Sequence, residues 1–257
     1  QIQVLNYVYQ GVTLKLVERE NRRTDTEYED SMISKLFVFQ FINSFSSFIY
    51  LAFISKFIED PDVGTCSGLD CMEALATNLV IIYMVQLISG NMTEVILPYV
   101  KYRMKLRAET KEKKDEKGPR ERTQITQEEI DYALEEYDVM MSTISDYAEM
   151  AIQFGYLTLF VAAMPLAPLL ALISNWVEIR SDAFKLLTNY RRPVPVQCQD
   201  IGTWQSIFTI ISCAAVMSNA ALVFFVMESV AGDMSATGRV WGFIITLYIV
   251  FVLQFGV

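Results

Sequence analysis

The sequence predicts an all-α, polytopic membrane protein, and its composition gives two reasons for that fold class. Hydrophobic residues make up 53% of the 257 residues, more than is usual in a soluble domain, and the mean hydropathy is +0.29. The apolar residues also occur in blocks long enough to cross a bilayer as helices. The formal net charge of -9 argues against nucleic-acid binding, which relies on basic surfaces.

Six stretches are predicted to be membrane helices, and residues 1–17 are expected to be the end of a further helix. The six stretches are 33–57, 72–100, 144–164, 166–188, 201–228 and 238–257. Residues 18–32 are charged and are expected to form a solvated connector. Because the chain starts at Gln1 and stops inside an apolar run at Val257, we expect it to be an internal piece of a longer protein.

Two polar segments indicate the orientation in the membrane. Residues 101–140 open with basic residues directly after a predicted span, which places them in the cytoplasm. The loop between the first two spans then faces the outside or a lumen. Cys66 and Cys71 lie in that loop, and a disulfide there is consistent with an oxidising compartment. The sequence has no histidine and no CxxC motif, so it predicts neither a zinc site nor an enzyme's nucleophile–base pair.

Five carboxylates lie inside or at the edge of the apolar stretches, and no lysine or histidine is expected among them. They are Glu94, Asp146, Glu149, Glu178 and Asp182. An ionised carboxylate in hydrocarbon is costly, and acids gathered at one depth repel one another and protonate unless a cation binds them. Oxygen ligands with this much negative charge suit Ca²⁺. The pattern therefore predicts a buried calcium site, and a proton relay is the main competing interpretation.

Helix geometry places the central acids at similar depth. Glu149 lies sixteen residues before Pro165 and Glu178 thirteen after it; at a rise of about 1.5 Å per residue, these are roughly 24 Å and roughly 20 Å from the turn. Asp146 and Glu149 are spaced i, i+3, and Glu178 and Asp182 are spaced i, i+4, so each pair shares a helix face. One such acid alone is better explained by an interfacial position, whereas the five together favour a metal site.

The first predicted span carries more polar residues than a lipid-facing helix needs. Its polar positions are Gln40, Asn43, Ser44, Ser46 and Ser47. They are expected either to line a groove or to form hydrogen bonds between helices; Asn43, Ser44 and Ser47 are the groove candidates. Gly90, inside the second span, marks a flexible or closely packed point and is the gating candidate.

Several long motifs of the chain resemble those of the anoctamin family, and together they cover essentially the whole sequence. They run from Asp146 to Gly155, from Leu159 to Leu169, from Asn175 to Ala183, from Arg191 to Val194 and from Asp200 to Trp204, with earlier matches at Glu20–Thr24, Tyr28–Asp30, Phe39–Asn43, Cys66–Cys71 and Gly90–Glu94.

This resemblance implies a fold, a localisation and a function. It implies a homodimeric ten-helix protein, of which this chain supplies about six helices, in the plasma membrane or the endoplasmic reticulum. Such proteins are calcium-activated chloride channels or phospholipid scramblases, so the expected cofactor is Ca²⁺ and the expected partners are membrane lipids or anions. The family's calcium ligands lie in its sixth, seventh and eighth helices and map onto Glu94, Asp146, Glu149, Glu178 and Asp182.

Five positions depart from the family pattern. Asp146 stands where many members carry Glu, and its shorter side chain is expected to loosen one ligand without removing it. Gly90 and Ser174 stand where several members carry a calcium-binding Asn, so we expect weaker calcium binding. Val85 and Gln40 stand where channel members carry basic residues, and the loss of basic residues along a pore weakens anion selectivity. The sequence therefore favours lipid scrambling, with non-selective ion conduction, over a chloride channel. A proton-coupled transporter and a membrane tether are further alternatives.

Overall fold

The computed structural model describes residues 2–55, 58, 71–85, 96, 99–101, 103, 104, 107, 132, 134, 136–195, 197, 198 and 200–256. The regular elements in this part of the chain are helices, which confirms the all-α fold class. They are α1 (Ile2–Glu20), α2 (Asp25–Ile49), α3 (Cys71–Val85), α4 (Val139–Leu159), α5 (Ala167–Phe184), α6 (Thr203–Ala221), α7 (Glu228–Ala231) and α8 (Ala236–Phe255). Three helices continue into π turns: α2 at Tyr50–Ile54, α5 at Lys185–Asn189 and α6 at Leu222–Val226.

Three helices among the described residues are long and apolar enough to cross a membrane, by length and composition. They are Asp25–Ile54, Thr203–Val226 and Ala236–Phe255. The shorter α3 is also apolar. None of the described side chains of α8 is buried, and its Trp241 and Tyr248 are exposed. Such a surface is unfavourable in water but suits the hydrocarbon of a bilayer.

The start of α2 differs from the expectation that residues 18–32 form a connector. The Thr24 side chain accepts a hydrogen bond from the Glu27 backbone N–H at 3.2 Å, which caps the helix. Asp25 and Glu27 lie in the first turn, where acidic groups interact favourably with the helix dipole. These capping residues start the helix at Asp25, so only residues 21–24 separate α1 from α2.

Glu20 ties the end of α1 to the first turns of α2. Its carboxylate lies 2.8 Å from the Lys35 ammonium and accepts hydrogen bonds from the Ser31 hydroxyl and the Arg22 guanidinium. Lys35, Ser31 and Arg22, in that order of effect, lower the pKa of Glu20 to about 2. Glu20 therefore stays ionised at physiological pH, and the α1–α2 connection keeps its charged contacts.

The chain divides into two compact units. The larger comprises Gln1–Val80, Thr143–Leu169 and Cys198–Val257; the smaller comprises Ile81–Ser142 and Leu170–Gln197.

An aromatic core holds α2 and α4 together in the larger unit. Phe45 is fully buried, with its ring centroid 4.7 Å from that of Tyr156 and 6.4 Å from that of Phe160. Phe48 packs against the same two rings, of which Tyr156 lies in α4 and Phe160 directly follows that helix. The helices approach closely because Gly155 has no side chain: a Cβ there would lie 2.5 Å from Phe45 Cζ.

Asn219 of α6 binds the C-terminal end of α4 in the same unit. Its Nδ2 donates to the Thr158 carbonyl at 2.6 Å and to the Ala215 carbonyl at 2.8 Å, while its Oδ1 accepts from the Ala162 N–H at 2.9 Å. Helix ends leave backbone groups without partners. The amide therefore satisfies groups that the termination of α4 would otherwise leave open.

In the smaller unit, Arg191 connects the segment before α4 to the segment after α5. Its guanidinium donates to the Tyr132 carbonyl at 2.8 Å and to the Leu134 carbonyl at 3.1 Å. It also lies 5.2 Å from the centroid of the Tyr132 ring, within cation–π range.

Candidate functional site

The first acid pair lies on α4. Asp146 and Glu149 are half-buried, one turn apart. The following turns bury small residues and Gln153, which is 7% exposed. Spacings of i, i+3 and i+7 put Asp146, Glu149 and Gln153 on one face of the helix. The predicted acid pair is therefore the N-terminal part of a polar stripe along α4.

The second acid pair lies on α5, whose polar and apolar faces are inverted relative to a soluble helix. Leu172, Ile179 and Leu187, the last in its π turn, are between 66% and 71% exposed. Ser174 and Lys185 are only 6% and 7% exposed. Apolar side chains outside and polar ones inside are typical of a helix that faces lipid and surrounds a polar interior.

Glu178 and Asp182 lie on the inward stripe of α5, and Asn175 precedes Glu178 by one turn and Asp182 by two. Both acids are half-buried. The Asn175 Oδ1 atom is buried and accepts no hydrogen bond from any residue that the structure describes. A buried oxygen without a donor costs roughly 1–3 kcal/mol. Carboxylate and amide oxygens are the donors that Ca²⁺ takes, so this side of α5 fits a calcium ion by its chemistry.

One expectation about the acids was wrong: a lysine does lie among them. The Lys185 ammonium is 3.0 Å from Asp182 Oδ1, at i, i+3 spacing. Arg180, closer to Glu178 in sequence, instead stacks over the exposed Trp176 ring with 4.4 Å to its centroid. Only the structure distinguishes the two cations, because the direction of each side chain around the helix decides which one meets an acid.

The described residues contain part of the predicted ligand set. Glu94 and the gating candidate Gly90 lie outside them, as does Cys66; Cys71 is disulfide-bonded. The α4 pair belongs to the larger unit and the α5 pair to the smaller. Within the described ranges, no three acidic or cysteine side chains are grouped so as to hold a metal ion.

The groove candidates of α2 have different surroundings. Asn43 donates its side-chain N–H to Asn6 Oδ1 of α1 at 3.0 Å. Ser44 is 4% exposed, and its backbone carbonyl accepts the Tyr156 hydroxyl at 3.4 Å. Ser47 is exposed. Asn43 and Ser44 therefore take part in contacts between helices, and Ser47 is the one of the three whose side chain faces outward.

Sequence reasoning assigned neither Asn175 nor Lys185 a role at the acid site. The signal for Asn175 was its i, i+3 and i+7 spacing to Glu178 and Asp182, and the signal for Lys185 was its i, i+3 spacing to Asp182. Spacing alone does not show that the amide lacks a donor or that the lysine side chain turns inward.

Comparison with known proteins gives a family and a set of relatives. The family model described as "Anoctamin: Calcium-activated chloride channel" matches residues 1–257. The chain is 38% identical to human anoctamin-7 over 235 residues, which is 87% of this chain and 25% of the relative. It is 37% identical to human anoctamin-5 over 239 residues (88% and 25%) and 36% identical to bovine anoctamin-4 over 236 residues (86% and 25%). The chain thus spans about a quarter of the length of these curated relatives.

Proposed function

Since the chain belongs to the anoctamin family, whose members are integral membrane channels and scramblases, we propose that it serves calcium-activated phospholipid scrambling, with non-selective ion conduction. Calcium-activated chloride conduction is the alternative, because the description of the matching family names it. The protein is an integral membrane protein, and placement in the plasma membrane or the endoplasmic reticulum fits the family. We propose that it works as a homodimer.

The inverted polarity of α5 carries this proposal. Glu178, Asp182 and the buried Asn175 Oδ1 lie on the inward stripe of a helix whose outer face is apolar. Polar and charged side chains are energetically costly in hydrocarbon, so this stripe indicates a function rather than a requirement of the fold. We assign Glu94, Asp146, Glu149, Glu178 and Asp182 as calcium ligands, and Asn175 as a neutral oxygen donor beside the family's Asn position at Ser174.

Electrostatics suggests how the site controls the protein. Without a bound cation, the five proposed ligands would repel one another, and we propose that the predicted span that contains Glu94 then bends at Gly90. When cationic charge offsets that repulsion, Glu94 can approach the acids of α4 and α5. We propose that this movement opens a polar furrow to which Ser47, exposed on α2, contributes.

The side chains at two positions support lipid over chloride as the substrate. Val85, at the end of α3, is 53% exposed, and Gln40 of α2 is half-buried. Neither can attract an anion by charge, whereas anion pores are lined by basic residues. A zwitterionic or anionic lipid headgroup can move along a polar furrow without a ring of basic side chains.

The proposal is tested by lipid scrambling and chloride flux in the same liposomes. The protein that carries this chain is reconstituted with fluorescent lipids, and probe accessibility is followed with and without calcium. Calcium-dependent scrambling supports the proposal. Chloride flux without lipid movement would establish the channel alternative, and activity that follows pH rather than calcium would favour proton coupling.

Glu178→Gln tests the ligand assignment. We expect activation to require roughly 10- to 100-fold more calcium, because losing a residue that only supports a metal ligand already lowers metal affinity by about that factor. The matched control is Glu73→Gln, an exposed acid in the first turn of α3, which should leave activation unchanged. Wild-type calcium sensitivity in Glu178→Gln contradicts the assignment.

A further inference from the structure

The ammonium that faces Asp182 has no role in the proposed function. Lys185 is 7% exposed, and its Nζ lies 3.0 Å from Asp182 Oδ1. We propose that Lys185 is a tethered counter-cation, which occupies Asp182 when calcium is absent and thereby lowers the calcium affinity of the site. This inference rests on the proposed function, because it requires Asp182 to be a calcium ligand.

The burial of Lys185 indicates that its charge is held in place. Lysine is almost never buried without a partner, and near a membrane surface it usually extends its ammonium towards water. Here the Lys185 side chain is 9% exposed while that of its partner Asp182 is 34% exposed. The Lys185 ammonium therefore contacts the partly exposed Asp182 carboxylate from the buried side and does not extend to solvent.

The local backbone fixes the pair. Lys185 is the first residue of the π turn Lys185–Asn189 that extends α5, and Asp182 lies three residues earlier, one helical turn away. π turns occur mostly as single turns within or at the end of α-helices, and they are frequent at functional sites. Asn189, at the end of the same turn, is fully buried, so the backbone of the turn is packed against the protein.

The same geometry makes the ammonium a competitor of calcium. A calcium ion bound by Asp182 sits about 2.3–2.6 Å from a carboxylate oxygen, and an ammonium hydrogen-bonded to that carboxylate is then a close like charge. An ammonium has no lone pair and cannot become a ligand. Calcium must therefore displace the Lys185 contact or bind against its repulsion, and both lower the affinity. In return, the ammonium reduces repulsion among the empty carboxylates.

Calorimetric calcium titration of the protein in nanodiscs tests this inference. Lys185→Met keeps the length of the side chain and removes its charge; we expect roughly tenfold tighter calcium binding and a lower melting temperature without metal. Lys185→Arg keeps the charge and should stay within about threefold of wild type. Lys35→Met removes a lysine that pairs with Glu20 on the α1–α2 connection and controls for net charge, so its affinity should not change.

The outcomes of these titrations separate the inference from the proposed function. Calcium affinity in Lys185→Met that equals or falls below wild type overturns the inference, as does the same gain in Lys35→Met. If Lys185→Met is not recovered folded, Lys185→Gln carries the same expectation of tighter binding. Adding Asp182→Asn should remove the gain, because the contact between the Lys185 ammonium and the Asp182 carboxylate is then lost in both backgrounds; a gain that persists overturns the inference. Absence of calcium binding in wild type, or unaltered binding in Glu178→Gln, would instead overturn the proposed function itself.

Discussion

The side-chain oxygen of Asn175 combines burial with the lack of a hydrogen-bond donor among the described residues. We expect Asn175→Leu to weaken calcium binding by about tenfold, because it removes one neutral ligand. The same change should raise the melting temperature without calcium, because an apolar group replaces an unsatisfied one. Calorimetry and thermal melts measure the two effects. Thr209→Val, on an exposed position of α6, should change neither, and a merely structural Asn175 would leave calcium affinity intact.

The absence of a side chain at Gly155 sets the distance between α2 and α4. In Gly155→Ala, the new Cβ would lie 2.5 Å from Cζ of the fully buried Phe45. Phe45 is enclosed by aromatic rings and cannot move freely, so we expect a loss of about 1–3 kcal/mol in the free energy of unfolding.

The matched control for this change is Gly11→Ala on α1, where nothing lies within 4 Å of the added Cβ. It should stabilise by about 0.5–1 kcal/mol, because alanine favours a helix interior more than glycine does. Denaturant titration in detergent compares the two variants. Equal effects at both positions would contradict the close α2–α4 packing.

At the scale of elements, the end of α4 depends on a side chain from α6. Asn219→Leu removes three hydrogen bonds and leaves the Thr158 carbonyl and the Ala162 N–H without this partner. We expect a loss of about 2–4 kcal/mol, the cost of one or two unsatisfied buried groups plus altered packing. Ser212→Ala, whose hydroxyl only returns to the Phe208 carbonyl on α6, should cost less than about 1 kcal/mol. Thermal melts compare the two variants, and equal falls in melting temperature would contradict this account.

Helices α4 and α5 differ in the side chains that surround their acid pairs. On α4, small residues beside the acids permit close packing, and the acid pair leads into the buried Gln153. On α5, the outer face is large and apolar, while the inner face carries Ser174, Asn175 and the acid pair. The exposed apolar face of α5 suits contact with lipid, and we propose on that ground that α5 lies in the membrane.

At the scale of the whole molecule, a calcium site should couple binding to stability. A ligand that binds only the folded state stabilises it by about 2.7 kcal/mol at a hundred times its Kd. We therefore expect calcium to raise the melting temperature of the protein in nanodiscs. Mg²⁺ should raise it less, because it keeps its own waters and demands a tighter octahedral geometry. Equal shifts with both cations would indicate non-specific binding to the acidic surface.

The sequence alone determined the fold class, the family and the positions of the candidate acids. The length of apolar blocks and the 3.6-residue helical repeat are local properties, so the all-α class and the shared faces of Asp146–Glu149 and Glu178–Asp182 follow from spacing. The start of α2 also had a local signal, because Thr24 with Asp25 and Glu27 is a recognisable cap. The charge of the segment concealed that signal.

Only the tertiary structure decided which partners each side chain meets. The sequence analysis expected no lysine among the acids, but the structure turns Arg180 onto the outer Trp176 ring and buries Lys185 against Asp182. It likewise placed Asn43 against Asn6, which lies on another helix, and left Asn175 Oδ1 without a donor among the described residues. These outcomes depend on how helices far apart in sequence pack, and no local pattern encodes the direction from which a neighbouring helix arrives.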